Sequence, residues 1–496
     1  MTDTTTHTEA QRRALAIAPT DLFIDGAWRA ATGGTTFDVH NPATGEVLAR
    51  VASAAAEDGA AAMDAAAAAQ EEWARTPARV RSELLRAAFE RVIELREEFA
   101  TLMTLEMGKP LADAHAEVTY GAEFVRWYAE EAVRINGRYA PSPEGNLRIL
   151  TVQRPVGPAL FITPWNFPLA MATRKIAPAL AAGCTVILKP AALTPLTSAA
   201  FVKVLEEVGV PAGVVNLIPT EDARPVTGPI IQDRRLRKLS FTGSTPVGIA
   251  LLKEAASNVL RTSMELGGCA PFIVFEDADL DVAVENAVRT KMRNIGQACT
   301  ASNTFYVHAS VAEEFSTRLT ARLEALPIGN GLDAGVEVGP LVSDTQRNDV
   351  HRLVEGAIAE GATVATGGAP IDGPGFFYPP TVLTDVPAEA AILGSEIFGP
   401  VVPITTFETE DEVIRRANAS EVGLAGYVYT ADLKRVLRLS ERLEVGLLGV
   451  NSPSTSNAAA PFGGFKHSGT GKEGGPEGIE EYLETVYVGI TDPFAG

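Results

Sequence analysis

The sequence predicts an α/β protein with two sheet-bearing domains. Short apolar runs alternate with longer helical patterns at the spacing of strand–helix–strand units, which builds a parallel sheet with helices on both faces. The alternation restarts after "ELGG" (265–268), so a second α/β domain follows the first. Length agrees, since 496 residues exceed what one small core organises.

In chain order, "AAAEDGAAAMDAAAAAQEEWA" (54–74) is rich in alanine but broken by charges, and reads as an amphipathic helix. The stretch "RYAPSPEGNLRILTVQRPVG" (138–157) is turn-rich, then alternating, and predicts a protruding hairpin. "VGPALFIT" (156–163) is a buried strand and "LAMATRKIAPALAAG" (169–183) a helix closed by Gly183. "CTVILK" (184–189) is a strand, and "TSAAFVKVLEEVG" (197–209) a helix ending at Gly209. "VVNLI" (214–218) and "KLSFT" (238–242) are further strands. The second domain runs to about residue 466, with strands at "PFIVF" (271–275), "TFYVH" and "AGYVYT". "LETVYVGI" near the C-terminus is one more strand.

Acidic residues number 62 against 42 basic, a formal charge of −20. That balance speaks against nucleic acid or an anionic membrane as partner. No run of 18 apolar residues exists to cross a bilayer. The N-terminal "MTDTTTHTEAQRRALA" lacks an apolar segment and carries Asp3 and Glu9, unlike a targeting peptide. Three widely spaced cysteines, Cys184, Cys269 and Cys299, make neither a disulfide framework nor a metal-ligand spacing. The expectation is a reduced, cytoplasmic protein without a metal.

Five stretches carry chemistry. "SFTGSTPVG" (240–248) is a strand, a Gly turn and a helix start, with Ser244 or Thr245 as cap and Pro246 in the first turn. Free N–H groups there attract phosphate, although such turns are common and no G-x-G-x-x-G fingerprint is present. "KMRNIGQACTA" (291–301) holds Cys299; a free cysteine is by default a small buried hydrophobe. "TPWNFP" (163–168) puts the Asn166 amide in a loop at a strand's carboxyl end, where α/β sheets bind ligands. "MELGG" (264–268) puts Glu265 at another strand end, and "SEIFGPV" (395–401) puts Glu396 and Phe398 in a Gly-Pro loop. A thiol, an amide donor and a carboxylate base are the parts of acyl-enzyme chemistry.

"TPWNFP", "AAGCTVILKPA", "FTGST", "MELGG", "GQAC", "EIFGPV" and "PFGGFKHSG" occur in one order. In these motifs the chain resembles the NAD(P)-dependent aldehyde dehydrogenase family over essentially its whole length. The resemblance implies a Rossmann-type cofactor domain (20–138 and 158–268) after an N-terminal tail (1–19). It implies an α/β catalytic domain (269–466) and a segment (467–480) that packs back on the cofactor domain. It also implies a β oligomerisation extension (139–157 and 481–496), and a homodimer or homotetramer. By the same resemblance Cys299 attacks the aldehyde carbon, and the Asn166 amide with the Cys299 N–H holds the oxyanion. Hydride leaves to a bound nicotinamide, and Glu265 activates the water that hydrolyses the thioester. Lys175 stands near the site. Thr163, Trp165, Lys189, Ala192, Gly243, Ser244, Leu266, Glu396 and Phe398 surround the cofactor. Glu396 is on the nicotinamide ribose, Phe398 is beside the ring and Trp165 is near the cofactor backbone.

A single arginine in such a place ordinarily pairs with a neighbouring carboxylate. "MATRK", "KMRNIGQAC" and Ser456 in "STSNAAAPFGG" together, however, are similar to the succinate-semialdehyde dehydrogenase subfamily. There the matching Arg174, Arg293 and Ser456 would hold the substrate carboxylate, since a bidentate guanidinium suits that anion. Phe124, Trp127 and Tyr128 would supply an apolar wall. Three positions depart from relatives. Ala301 stands where a second cysteine forms a redox switch, so that switch is absent. Cys269 reads as a packed thiol. Ala192 replaces the glutamate that binds the adenosine ribose hydroxyls in NAD-specific relatives; with Lys189 retained, NADP or dual use with NAD is favoured. Glutarate semialdehyde stays open as substrate, being one methylene longer, a difference worth only about 1–3 kcal/mol. A cofactor-free cysteine esterase and a non-catalytic binding protein are the readings from other classes.

Overall fold

The computed structural model describes residues 7–494. The first six residues of the expected tail and the last two of the expected C-terminal extension lie outside them. Tail residues within range form a helix, Glu9–Ala16, whose Thr8 cap accepts the Gln11 N–H. The strands and helices named above form, with shifted ends.

The first sheet has a parallel centre. Its spatial order is Val215–Leu217, Val186–Lys189, Ala159–Ile162, Lys238–Thr242, Arg261–Glu265. The first strand in sequence thus lies in the middle, and the chain winds outward in both directions from it. That order creates a switch point between Ala159–Ile162 and Lys238–Thr242, the place where open α/β sheets bind ligands. The central strands are buried throughout, as expected of a sheet covered on both faces. The helix Ala170–Ala182 stops at Gly183, whose φ of 98° is left-handed and costs glycine nothing.

The second sheet joins Thr381–Thr384, Val401–Phe407, Ser302–His308, Ala270–Val274, Ala425–Tyr429 and Leu447–Val450 in parallel. Cys299 precedes Ser302–His308, so the second sheet sets its height. Gly469–Thr470 returns to the first sheet and pairs antiparallel with Met264 and Glu265. Arg138–Pro141 and Leu147–Pro155 form the expected hairpin, and Leu483–Thr491 adds a third strand along all nine of its residues.

Candidate active site

A cavity of about 310 Å³ opens at the switch point. Trp165, Asn166, Gly243, Ser244, Glu265, Leu266, Cys299, Glu396 and Phe398 all line it. Nine residues expected in two roles thus share one wall.

The cysteine loop is bent in an unusual way. After the helix Leu280–Met292, Asn294, Ile295 and Gly296 are all left-handed, at φ 54°, 58° and 74°. Asparagine and glycine tolerate that region, but Ile295 is β-branched and strongly disfavours it. Contacts over-determine the bend. Asp113 accepts the Asn294 N–H at 2.8 Å. The buried Asn294 amide donates to the carbonyls of Asn166 and Gln297, both at 2.9 Å. The Val342 N–H donates to the Gln297 side chain at 3.0 Å. At Gly296 a Cβ would lie 2.2 Å from the Gly399 carbonyl, so only glycine fits there.

The Asn166 Nδ2 donates to the Gln297 carbonyl at 3.0 Å. An amide nitrogen has two protons, so one remains for a developing oxyanion beside Cys299. The Asn166 carbonyl is held from a second side by Lys109 Nζ at 2.9 Å. Lys109 is itself buried in an ion pair with Glu117, whose other oxygen accepts the N–H groups of Leu169 and Ala170. Burial pushes the Cys299 thiol up to about 12, against the pull of the Arg174 charge.

Glu265 is buried, and neither carboxylate oxygen has a hydrogen-bond partner. Burial, and then the nearby Glu473 charge, raises its pKa well above the carboxylate range. A carboxylate so placed takes up a proton readily, which suits a general base for water. Lys175 does not line the cavity. Its Nζ is bound to Glu473 at 2.5 Å and to the Ser240 hydroxyl at 2.9 Å. Burial works to raise Glu473, but Lys175 and Arg174 outweigh it and hold the carboxyl below its ordinary value.

The cavity floor suits a nucleotide. A Cβ at Gly243 would lie 2.4 Å from the Phe241 ring, and one at Gly267 would lie 2.6 Å from Glu396. The backbone is therefore bare at both positions. Ser244 caps the helix Thr245–Ala255 in position only, making no side-chain cap, so the helix N–H groups stay available to phosphate. Glu396 accepts the Gly268 N–H at 3.1 Å, and burial lifts its carboxyl to about 7. Lys189 is buried with no carboxylate partner among the described residues, and burial lowers it to about 8. It sits beside Thr163, whose N–H donates to its carbonyl at 3.2 Å. Ala192 lies half-buried in the loop that follows.

The residues expected around the substrate tail gather on Tyr120, which the sequence reading did not single out. The Arg174 Nη1 donates to the Tyr120 hydroxyl at 3.2 Å, and that hydroxyl meets Ser456 Oγ at 2.5 Å. The Arg293 guanidinium lies 5.4 Å from the Tyr120 ring centroid and 4.9 Å from that of Phe167. The ordinary fate of an arginine applies to one of the two. Arg174 has Glu473 at 2.7 Å, whereas Arg293 has no carboxylate partner among the described residues. Arg174 also lies over Phe462 at 3.9 Å and Phe124 at 5.4 Å. Phe124 is fully buried and backs the arginine without lining the Cys299 cavity. Trp127 packs, like Tyr120, against the core of the first domain and is not among the residues that line the Cys299 cavity. Tyr120 precedes Phe124 by four residues on one helix, and that spacing was the available signal. Glu473 carried none, because its partners lie 298 residues or more away, and the Lys109 contact with Asn166 spans 57 residues.

A model of the aldehyde dehydrogenase family matches residues 28–488. The chain is 60% identical over 448 residues to a succinate-semialdehyde dehydrogenase of Paenarthrobacter nicotinovorans, covering 90% of this chain and 100% of that protein. It is 47% identical to a 3-sulfolactaldehyde dehydrogenase of Pseudomonas putida, covering 94% and 96%. The crystal structure of an E. coli NADP-dependent enzyme superposes with a TM-score of 0.94 at 44% identity, covering 96% of this chain and 99% of that one.

Proposed function

Because the chain belongs to the aldehyde dehydrogenase family, we propose that it oxidises succinate semialdehyde to succinate with NADP or NAD. The observation that carries the substrate is the meeting of Arg174, Ser456 and Arg293 on one tyrosine. Two guanidinium groups and a hydroxyl from distant parts of the sequence thus gather around one side chain. Both named relatives act on aldehydes with an anionic far end, a carboxylate in one and a sulfonate in the other.

Bound in the cavity, the nicotinamide nucleotide supplies the hydride acceptor. Lys189, Gly243, Ser244 and Glu396 would hold it, with Trp165 and Phe398 beside it. The protein's own residues do the rest. The Cys299 sulfur, as thiolate, bonds to the aldehyde carbon. The free Asn166 amide proton and the Cys299 N–H donate to the resulting oxyanion. Oxidation leaves a thioester on Cys299. Glu265 takes a proton from water, and the hydroxide so formed expels the cysteine thiolate and yields the acid. Lys175 and Arg174 act through Glu473: they keep that neighbouring carboxyl charged and so keep Glu265 poised to accept a proton.

The chain is further proposed to work in the cytoplasm as a homodimer or homotetramer. Three free, unpaired thiols suit a reducing compartment, and no helix of the described residues is long and apolar enough to cross a membrane. The strand Leu483–Thr491 leaves Val488 and Ile490 exposed on the sheet face that also carries Tyr139, a surface suited to a second copy.

Steady-state turnover of succinate semialdehyde, glutarate semialdehyde and butanal, each with NAD and with NADP, tests the reading. It requires the highest kcat/KM for succinate semialdehyde. Equal kcat/KM for butanal would overturn it.

A further inference from the structure

We infer that Tyr120 is a specificity-determining positioning residue, whose hydroxyl pairs with Ser456 so that one proton of the pair is left to donate toward the substrate's anionic end. The inference rests on the substrate reading above.

The argument is one of donors and acceptors. Tyr120 and Ser456 each have one hydroxyl proton, and either could donate across their 2.5 Å contact. In either direction one proton of the pair is left over. A guanidinium only donates, so the Arg174 Nη1 contact at 3.2 Å uses the Tyr120 oxygen as acceptor. If Ser456 donated as well, the Tyr120 oxygen would accept twice and its own proton would have no acceptor among the described residues. If Tyr120 donates, the Ser456 proton is left over instead, so the pair keeps one free hydroxyl proton in both arrangements. The Ser456 oxygen makes no other hydrogen bond.

What that spare proton faces follows from its neighbours. Arg293 lies against the Tyr120 ring without a carboxylate partner. The Arg174 Nε is buried and unbonded. A spare hydroxyl proton, a free guanidinium and a buried guanidinium N–H are complementary to an oxyanion. Tyr120 organises the set from behind: its hydroxyl fixes Ser456 and receives Arg174, while its ring carries Arg293. The ring also packs edge-on against Phe124 at 5.1 Å, which fixes the hydroxyl's height.

Tyr120→Phe isolates the hydroxyl, because the ring that carries Arg293 and meets Phe124 remains. The measurement is the ratio of kcat/KM for succinate semialdehyde to that for butanal, with KM and kcat resolved. The ratio should fall about tenfold in Tyr120→Phe, mostly through the KM for succinate semialdehyde. In a double-mutant cycle, Ser456→Ala should lower the ratio by a similar factor, and the double variant should fall little further. An unchanged ratio in Tyr120→Phe, or additive losses in the cycle, overturns the inference while leaving the substrate reading intact. A wild-type ratio near one overturns that reading and this inference with it.

Discussion

Lys109 Nζ donates a 2.9 Å hydrogen bond to the backbone carbonyl of Asn166, from inside a buried ion pair with Glu117. The lysine never touches the cavity, yet it sets the loop that aims the Asn166 amide at Cys299.

Removing Lys109 alone should therefore have two effects. Lys109→Met strands the buried Glu117 carboxylate, which costs about 3–5 kcal/mol of stability. Lys109→Met with Glu117→Gln removes the stranded charge and keeps an acceptor for the helix start at Leu169. The double variant should regain most of the stability, measured by thermal unfolding. Its burst of reduced cofactor should still be on the order of tenfold to a hundredfold slower, because the amide is mispositioned. A normal burst rate in the stable double variant would show that Lys109 serves folding alone.

Glu265→Gln should give a burst of reduced cofactor and then stall. Acylation of Cys299 needs no base at Glu265, whereas hydrolysis of the thioester does. In the wild type, burial and the Glu473 charge hold the Glu265 pKa above the usual carboxylate range. Deacylation should therefore climb with pH through that raised value, as the protonated, inactive form is lost. Steady turnover without a stall in Glu265→Gln would remove the residue from this role.

Lys189 titrates near 8 because burial disfavours its charge. Below that pH the ammonium can pair with the 2′-phosphate of NADP; above it the charge is lost. The kcat/KM for NADP should decline relative to that for NAD as pH rises past about 8. Lys189→Arg, which keeps its charge, should abolish the break. A ratio flat from pH 7 to 9 in the wild type would place the 2′-phosphate elsewhere.

Ala192→Glu should move preference toward NAD, mainly by raising the KM for NADP. A carboxylate in that loop can bond ribose hydroxyls but repels a 2′-phosphate. The result contradicting this is a wild-type protein that already rejects NADP.

Much of this site was legible in the sequence, for a physical reason. Cys299, Asn166, Glu265 and Glu396 all sit at strand ends or in Gly-Pro loops, where local sequence dictates the turn. The helix–strand alternation likewise declared both sheets. What stayed hidden depends on distant partners. Glu473 is 298 residues from the lysine it binds, and Tyr120 is 336 residues from Ser456. Lys175 looked like a catalytic-site lysine by position; in the structure it is consumed by Glu473 and Ser240, one step removed from the cavity. The left-handed run through Asn294 and Ile295 has no local signature except Gly296, since contacts from elsewhere hold it.

The central claim is that the pocket is built for an aldehyde with an anionic far end, and it turns on Arg293. Among the described residues Arg293 has no carboxylate partner, and it has two aromatic rings to rest on. A charged hydrogen bond to a carboxylate is worth about 1.5–3 kcal/mol. The decisive measurement is kcat/KM of Arg293→Leu for succinate semialdehyde and for butanal, side by side. The account predicts a loss of about tenfold to a few hundredfold for succinate semialdehyde and little loss for butanal. An equal loss for both substrates would make Arg293 a structural residue and contradict the account.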